Sequence, residues 1–374
     1  MKSLEQCRNE IDEIDQQLIQ LFEKRMNVAK DVVSYKIANG LQIFQPDREK
    51  AVIEKNVARI NNPQLKKYGH KFIQEMMNLS KDYQADFIPN HINLNPVFPL
   101  KHDQSLYVGF QGVDGAFSKQ ALETYFLKEV KVKNYDQFED VFIALKNEEI
   151  QYGIVPIENS STGAINDIYD LIRDYGFYIV GEENILITQN LLGLENTDIN
   201  KVKEVYSHPQ GLAQSSAFLN ETSWKRIPYL NTAMSAKLVA QLKDPTKVAI
   251  ASIKAAELYG LKVLKDNIQN DKNNHTRFIV IGKQLESMPD YDRISIVCTL
   301  KHEVGSLYKM LEIIKDYELN MVRIESRPLT QKPWEYYFYI DFDGNLKQEQ
   351  VQRALEKMKQ HAKTLRILGA FKAK

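Results

Sequence analysis

The most constraining feature of this sequence is its first long segment, from Leu4 to about Asn39, which contains neither proline nor an internal glycine. Apolar residues recur along it at intervals of three and four, as on the buried face of an α-helix: Leu4, Cys7, Ile11, Ile14, Leu18, Leu21, Val28 and Val32. Such a helix extends for about 50 Å. Shorter helices are predicted from Pro46 and from Asn62-Pro63 to about Ala85. Because three helices of such unequal length cannot bury a compact core alone, the sequence predicts an all-α domain that forms an intertwined helical dimer.

Three cationic side chains lie on this first predicted helix. Arg25 falls on the apolar face, and Lys36 returns to the same face about 16 Å along the axis, so the two could close on one small anion. Arg8 lies about 25 Å from Arg25, too far for both to reach one small ligand within a chain, and would therefore serve a partner's site. In the alternative interpretation, Arg8 and Lys36 are solvated surface charges and Arg25 is an edge residue.

The third predicted helix adds polar side chains to the cavity that these cations would face. A line of residues beside its apolar stripe turns polar at Ser80 and Gln84, one helical turn apart. Paired cations beside such side chains favour a compact ligand with at least two negative groups, and carboxylates fit best. Because no nucleophile, Cys/His cluster or phosphate loop is evident, a reaction there would be unimolecular, promoted by holding one conformer and stabilising developing charge.

Composition excludes several classes of function. The 374 residues allow two or three domains, and 43% of them are hydrophobic. Lysine plus arginine and aspartate plus glutamate both number 49, so no nucleic-acid or membrane partner is expected. Cys7 and Cys298 form neither a disulfide framework nor a metal pattern, and the start lacks the apolar core of a signal peptide. We therefore expect a cytoplasmic protein without a bound metal.

Patterns along the chain predict a multidomain protein. Residues 1–88 form the helical domain, and residues 89–104, rich in proline and asparagine, form a linker. Alternating strands and helices over residues 105–283 predict an open α/β domain. Residues 292–374 follow the order strand, helix, strand, strand, helix, strand, which is that of a ferredoxin-like α+β domain.

Small polar residues follow several predicted strands of the α/β domain, where open α/β sheets bind ligands and backbone N–H groups favour anions. The segments are Gly153 to Ser160, Ser207 to Gln210 with Gln214, Asn231 to Ala233, and Asn274 to Phe278. For any one segment, helix capping or turn formation explains these residues at least as well.

Residues 1–88 resemble the all-helical chorismate mutases in the order and spacing of their motifs. The matching residues are Cys7 to Asp12, Lys24-Arg25, Lys36, Asp47 to Glu49, and the pair Ser80 and Gln84. The resemblance implies that Arg25 and the partner's Arg8 bind the substrate carboxylates. Lys36 and Gln84 would face the breaking ether oxygen.

The same resemblance implies roles for the start of the second helix. Arg48 and Glu49 would line the site, with Glu49 taking the ring hydroxyl, and Ser80 would add a donor. Gln45 replaces the acidic residue common at its position in that family, so no role is assigned to it.

Residues 105–283 resemble the prephenate dehydratases, most specifically in the runs Pro-Ile-Glu-Asn and Asn-His-Thr-Arg-Phe. This resemblance implies a two-lobed α/β fold like that of periplasmic binding proteins. It implies that Thr276 assists the loss of the ring hydroxyl and that Glu158 shapes the pocket. The residues that would position the substrate are Asn159, Ser207, Gln214 and Arg277. His208 and His275 fit turns as well as catalysis, and neither is assigned a role.

Residues 292–374 resemble an ACT regulatory domain with phenylalanine-binding motifs. The first motif, Gly305-Ser306-Leu307, opens a predicted helix, and the second, Glu325-Ser326-Arg327-Pro328, ends a predicted strand. A glycine at the first position permits close backbone approach to a ligand. Without the upstream domains, a tight helix start and a surface ion pair between Glu325 and Arg327 would explain these residues equally well.

We therefore expect a bifunctional, cofactor-free enzyme of phenylalanine biosynthesis. It would convert chorismate to prephenate and prephenate to phenylpyruvate, as a homo-oligomer (dimer or tetramer) inhibited by phenylalanine. One alternative is that the α/β segment is a non-catalytic solute-binding module coupled to an amino-acid sensor. Another is that the dehydratase acts on arogenate.

Overall fold

The computed structural model describes residues 2–41, 46–85, 87, 94–100, 104–127, 130–329 and 334–374, with no side chains at 46, 47, 49, 82 and 85. The chain divides into two compact units, Met1–Ile92 and Asn93–Lys374. Each unit has its own architecture. Within the described residues, no helix is both long and apolar enough to cross a membrane.

The first unit is all-helical, as the sequence predicts. It consists of α1 (Leu4–Ala38), α2 (Pro46–Ala58), a 3₁₀ turn (Pro63–Leu65) and α3 (Lys66–Ala85). Ser3 begins α1 with a capping box, in which its hydroxyl accepts from the Gln6 backbone and the Gln6 side chain accepts from the Ser3 backbone.

The predicted apolar faces of this unit are exposed in the single chain. On α1 the residues packed inward are Met26, Ala29 and Val33. The predicted face, by contrast, leaves Leu4, Ile11, Ile14, Leu18, Leu21, Val28 and Val32 exposed. The same holds on the 3₁₀ turn and α3, where Leu65, Tyr68, Phe72 and Leu79 are exposed. The predicted periodicity is therefore present, and these apolar faces are exposed among the described residues.

The second unit begins with a lobe built on a mixed sheet. Its strands are β1 (Tyr107–Gln111), β2 (Lys131–Tyr135), β3 (Tyr152–Asn159), β4 (Gly163–Ala164) and β5 (Tyr178–Leu186), joined by the later strand β11 (His275–Gly282). Its helices are α4 (Phe117–Tyr125), α5 (Phe138–Lys146) and α6 (Asn166–Tyr175). β11 lies antiparallel between β5 and β3.

A second lobe is inserted between β5 and β11. Its strands are β6 (Asn190–Gly193), β7 (Glu204–Ser207), β8 (Lys225–Pro228), β9 (Lys247–Ala251) and β10 (Lys262–Lys265), in the order β10-β6-β9-β7-β8. Its helices are α7 (Pro209–Gln214), α8 (Ser216–Asn220), α9 (Thr232–Leu242) and α10 (Ile253–Tyr259), with a 3₁₀ turn at Ile199–Lys201. The chain thus crosses between the lobes twice, and β11 starts directly after the second crossing.

The C-terminal part follows the predicted ferredoxin-like order. It contains β12 (Arg293–Leu300), α11 (Ser306–Asp316), β13 (Met321–Pro328), β14 (Tyr336–Asp343), α12 (Glu349–His361) and β15 (Ala362–Phe371). Its strands are arranged β13-β14-β12-β15, and β15 continues the sheet of the first lobe.

The contact between β15 and β5, which we call the seam, joins these two parts into one sheet. Gly369 pairs in parallel with Ile179. A Cβ atom added to Gly369 would lie 2.0 Å from the Ile179 carbonyl oxygen. Only glycine therefore allows the two backbones to approach this closely.

A short piece of the predicted linker packs on the same unit. The Val97 backbone pairs with the segment after β11, donating to the Leu285 carbonyl and accepting from the Ser287 amide. The Leu100 amide donates to the Tyr152 hydroxyl at 3.0 Å, and that hydroxyl donates to the buried Glu286 carboxylate at 2.6 Å.

Candidate active and regulatory sites

In the helical unit, Arg25 and Ser80 are brought into direct contact. The Arg25 guanidinium donates to the Ser80 hydroxyl and, at 3.2 Å, to the Met76 carbonyl. Ser80 is 3% exposed, and burial lowers the pKa of the Arg25 guanidinium. The cation is held by neutral groups, so an anion would find its charge available.

The other predicted residues of this unit have different surroundings. Lys36 and Gln84 are half-buried, whereas Arg8 and Arg48 are exposed. Arg8 is separated from Arg25 by about 25 Å of helical rise. The Glu49 side chain and the whole of Gln45 lie outside the described residues.

In the second unit, the end of β3 and the start of β11 join two predicted residues. Asn159 and Thr276 are opposite each other in the antiparallel pair. The Asn159 side-chain amide donates to the Thr276 hydroxyl at 2.9 Å. Asn159 is 4% exposed and Thr276 is 8% exposed. Because Thr276 accepts this hydrogen bond, its own proton is available to another acceptor.

The orientation of Asn159 is fixed from both ends. Its side-chain oxygen accepts from the Ser161 hydroxyl at 2.7 Å and from the backbone amides of Ser161 and Thr162. Its side-chain nitrogen also donates to the side-chain oxygen of buried Asn274 at 2.8 Å and to the His275 carbonyl at 3.2 Å. Three acceptors for one NH₂ group and several donors to one oxygen leave a single amide orientation.

Gln214, on α7 of the second lobe, reaches the same network. Its side-chain nitrogen donates to the Ser161 hydroxyl at 3.4 Å, and its oxygen accepts from Gln189 at 3.1 Å. Gln210 similarly donates to the Thr162 hydroxyl at 3.0 Å. Both lobes therefore contribute polar groups at their junction, the usual place for a ligand in a two-lobed fold.

Ser207 and His208 are used locally by the second lobe. The fully buried Ser207 hydroxyl donates to the Ile250 carbonyl at 2.8 Å, and no hydrogen bond among the described groups links it to Asn159 or Thr276. His208 Nδ1 accepts from the Gln210 amide as the cap of α7, and burial lowers its pKa. A neutral imidazole in a helix cap agrees with the turn interpretation.

Glu158 and Arg277, the neighbours of Asn159 and Thr276, form ion pairs. Glu158 accepts from Arg323 of β13 at 3.2 Å. Arg277 pairs with Glu182 at 2.7 Å and with Asp341 of β14 at 2.9 Å. Burial acts to lower the pKa of Arg277, but the two carboxylates raise it on balance. These contacts occupy charges that the sequence interpretation assigned to the substrate pocket.

The first predicted regulatory motif borders a cavity of about 390 Å³. Gly305 adopts a left-handed backbone conformation with φ of 83° and begins α11 without a side-chain cap. Ser306 and Leu307 line the cavity together with Trp334, Tyr336 and Phe338. The Ser306 amide donates to the Glu303 carbonyl at 3.2 Å. The cavity thus combines the start of a helix with aromatic rings.

The second predicted regulatory motif lies on the edge strand β13 and does not line that cavity. Alternation along the strand half-buries Glu325 and Arg327 and exposes Ser326 and Pro328. Arg327 pairs with Asp170 of α6 at 2.9 Å. Within one chain, the two motifs are therefore on different surfaces.

Sequence reasoning assigned no role to Asn274, Ser161 or Gln189, which connect the predicted residues. Asn274 lies within one of the small polar segments named above, and Ser161 directly follows another. These segments could therefore have pointed to both residues. Gln189 lies at the first crossing between lobes, and no motif marked it. Its contact with Gln214 depends on a fold that brings α7 next to this crossing.

Comparison with known proteins places these features in context. The chain matches the family model described as Chorismate mutase type II over residues 7–85. It matches the model described as Prephenate dehydratase over residues 108–286. These two ranges cover most of the helical unit and nearly all of the two lobes.

Curated relatives match along nearly the whole chain. Proteins named bifunctional chorismate mutase/prephenate dehydratase are 32% identical in Aquifex aeolicus, with 99% of this chain and 98% of that protein covered. The Buchnera aphidicola (subsp. Acyrthosiphon pisum) relative is 31% identical, covering 97% and 95%. The Escherichia coli K12 relative is 30% identical, covering 97% and 95%.

Solved structures match the second unit. A prephenate dehydratase from Arthrobacter aurescens in complex with L-Phe aligns with a TM-score of 0.65 at 26% identity, over 72% of this chain and 90% of that one. The Staphylococcus aureus prephenate dehydratase gives 0.64 at 25%, over 71% and 100%. GqqA, described as a quorum quenching acylase, gives 0.65 at 26%, over 72% and 98%. Function must therefore be argued from the site as well as the fold.

Proposed function

The chain belongs to the family of bifunctional chorismate mutase/prephenate dehydratases, and we propose that its helical unit converts chorismate to prephenate and its two lobes convert prephenate to phenylpyruvate. It is thereby an enzyme of phenylalanine biosynthesis. The observation that supports the second activity most directly is the hydrogen bond from Asn159 to Thr276 at the junction of the lobes.

For the mutase, the half-buried cations supply what a unimolecular rearrangement needs. Arg25, held by Ser80, binds a substrate carboxylate, and Lys36 and Gln84 donate to the ether oxygen as its bond breaks. Arg48 and Glu49 are assigned to the same site by the family resemblance, although the Glu49 side chain lies outside the described residues. Fixed donors that match charge developing in the transition state lower the barrier without any covalent step.

We propose that the mutase site is completed by the partner's Arg8 in a homodimer. The support is the exposed apolar face of α1, which carries Ile11, Ile14 and Leu18 among others, together with the exposed apolar stripe of α3. Apolar surfaces of this extent are usually covered in a soluble protein. Pairing two copies would bury both faces and bring the Arg8 of one chain towards the Arg25 of the other.

A mixture of two inactive variants tests the shared site. Arg8→Ala and Lys36→Ala each remove one essential group, so either homodimer lacks mutase activity. In a mixed dimer one site keeps both groups, and random mixing restores about a quarter of wild-type activity. If Arg8 acts within its own chain, co-refolding the two variants restores none, and the shared site is rejected.

For the dehydratase, the driving force comes from the substrate. Loss of the ring carboxylate as CO₂ sends the electron pair of the broken C–C bond into the ring, and the ring hydroxyl leaves with a proton as water, so the ring becomes aromatic. Thr276 donates that proton, since its oxygen already accepts from Asn159. Gln214 positions the substrate from the second lobe. Ser207, hydrogen-bonded to the Ile250 carbonyl, contributes from below by holding the end of β7.

We also propose that the C-terminal part is an ACT domain that binds phenylalanine. The carboxylate of the amino acid would meet the Leu307 backbone N–H group and the Ser306 side chain, beside Gly305, and its ring would pack on Trp334 and Phe338. Glu325 would bind the ammonium group, with Ser326, Arg327 and Pro328 completing the second motif from the adjacent chain of an oligomer.

Calorimetry with phenylalanine and assays with each substrate test this assignment. Purified protein should bind phenylalanine, turn over chorismate and prephenate, and lose prephenate turnover as phenylalanine is added. In Glu325→Ala, inhibition disappears while turnover persists. Unchanged inhibition in that variant contradicts the assigned site. Turnover of arogenate in place of prephenate reassigns the substrate, and binding without any turnover makes the unit a sensor.

The two cysteines support a cytoplasmic location. Cys7 and Cys298 are both free thiols, and Cys298 is buried. Free cysteines are typical of a reducing compartment.

A further inference from the structure

The ends of β3 and β11 present different groups on their two faces. Asn159 is paired with Thr276 and Glu158 with Arg277 in the same antiparallel ladder. Because successive side chains of a strand point to opposite faces, the hydrogen-bonded pair Asn159–Thr276 lies on one face. The charges of Glu158 and Arg277 lie on the other.

Both of these charges are paired with residues of the C-terminal part of the chain, and Arg277 pairs in addition with Glu182 of β5. Arg323 of β13 pairs with Glu158 at 3.2 Å, and Asp341 of β14 pairs with Arg277 at 2.9 Å. The exposed fraction of the side chain is 12% for Arg323, 14% for Arg277 and 8% for Asp341. The Glu158 side chain is 36% exposed. Loss of Asp341 leaves the buried Arg277 with one carboxylate partner in place of two, and loss of Arg323 leaves Glu158 without the cation that it contacts, so we expect the ends of β3 and β11 to shift.

Arg323 is also shared with the second regulatory motif. Its guanidinium lies 3.9 Å from the Glu325 carboxylate on the same face of β13 and 5.1 Å from the centre of the Tyr169 ring. The nitrogen that faces Glu325 is buried and makes no hydrogen bond to any described group. One cation thus stands between Glu158 of the dehydratase and Glu325 of the regulatory part, with its hydrogen bonding incomplete.

We propose that Arg323 and Asp341 are positioning residues of the dehydratase site. Through the charges that adjoin Asn159 and Thr276, they hold these two groups in the geometry that protonates the leaving hydroxyl. A cationic group bound at Glu325 neutralises that carboxylate. This changes the balance between the interactions of Arg323 with Glu325 and with Glu158, and the end of β3 moves as a result. This extension to regulation rests on the proposed binding of phenylalanine.

Conservative and matched variants separate positioning from simple stabilisation. Arg323→Gln and Asp341→Asn remove one charge each, and Arg323→Lys keeps the charge. The control is Arg293→Gln, because Arg293 is equally buried at 14% exposed and pairs with Asp343 at 3.1 Å within the C-terminal part. The measurements are kcat and KM for prephenate, the phenylalanine concentration for half inhibition, and phenylalanine binding by calorimetry.

Positioning predicts a specific pattern in these measurements. Arg323→Gln and Asp341→Asn lower kcat at least about tenfold with little change in KM, because the reacting hydroxyl is displaced. In Arg323→Gln the phenylalanine concentration for half inhibition rises about tenfold although phenylalanine still binds. Arg323→Lys recovers most of both properties, and Arg293→Gln behaves as wild type.

Other outcomes reject either the positioning role or the proposed regulation. Wild-type kcat and wild-type inhibition in both Arg323→Gln and Asp341→Asn overturn the positioning role. The same losses in Arg293→Gln also overturn it, since they would mean a general loss of stability. If Arg323→Gln fails to fold, Asp341→Asn provides the test. A wild-type kcat and wild-type inhibition in Asp341→Asn then reject the proposal. Failure of the wild-type protein to bind phenylalanine rejects the proposed regulation alone, since the effect on kcat is measured without it.

Discussion

The Asn159 side-chain amide donates to the Thr276 hydroxyl at 2.9 Å, between groups that are 117 residues apart in the chain. Ser161 and Thr162 fix the amide by donating to its oxygen. The polarity of the threonine hydroxyl is thereby set before any substrate arrives. Preorganisation of this kind is what allows a weakly acidic hydroxyl to act in catalysis.

Substitution of Thr276 tests the importance of that hydroxyl. Thr276→Val keeps the shape of the side chain but removes the donor, and we expect kcat for prephenate to fall about 10²- to 10⁴-fold. Thr276→Ser keeps the donor and should retain much of the activity. Mutase turnover by the same preparation shows that the protein is folded. A Thr276→Val enzyme with near-normal kcat would remove the residue from the mechanism.

Substitution of Lys36 tests the first activity. Lys36→Ala should lower mutase turnover by about two orders of magnitude or more, because a donor to the breaking ether oxygen is lost in the transition state. Dehydratase turnover serves as the internal reference. Lys67→Ala, on the exposed surface of α3, is the matched control and should leave both rates unchanged. Equal rates for the two variants would contradict the assignment.

The buried Glu286 carboxyl makes the stability of the second unit depend on pH. Burial raises its pKa to about 7, although the hydrogen bond from Tyr152 acts in the opposite direction. The folded state then holds a proton that the unfolded state releases at lower pH. The contribution of the protonated Glu286 carboxyl group to the stability of the fold is therefore complete below about pH 4.5. This contribution is lost as the pH rises through about 7.

Glu286→Gln should remove this dependence and raise the free energy of unfolding at pH 8 by about 1–3 kcal/mol. The amide can still accept from Tyr152, so packing is retained. Chemical denaturation of both proteins at pH 4.5 and pH 8 measures the difference. If the variant gains as much stability at pH 4.5 as at pH 8, titration of Glu286 is not the cause.

The seam predicts a steric effect at a single methyl group. Gly369→Ala places a Cβ atom 2.0 Å from the Ile179 carbonyl oxygen, and we expect a loss of about 1–3 kcal/mol in the free energy of unfolding. Ala370→Gly, at the neighbouring buried position of the same strand, is the control for a change in side-chain volume. A Gly369→Ala protein as stable as wild type would show that the strands can separate slightly without cost.

Local patterns in the sequence were enough to predict most of the elements. The long α1, the start of α2 at Pro46 and the βαββαβ order were predicted because each depends on periodicity or on a residue with a strong local preference. Local patterns do not mark strands β2, β8 and β10, because they are short, largely polar strands at the edges of their sheets. No window of sequence reveals such pairing.

The contacts of the charged site residues were not predictable in this way. Arg277 was assigned to the substrate, but its two carboxylate partners lie 95 and 64 residues away along the chain. The apolar face of α1 was recognised from the sequence. The sequence did not reveal that Met26, Ala29 and Val33 are the residues of α1 that pack inward within the single chain. Periodicity identifies a face and cannot identify what covers it.

Because β15 covers one edge of β5 at Gly369, an enzyme cut before β12 would not simply be freed from control. It would present the bare N–H and C=O groups of an interior strand to solvent, and such edges recruit strands from other molecules. Shortening this protein to obtain a deregulated catalyst is therefore a route to precipitate, and point changes that leave β15 in place are the better way to uncouple it.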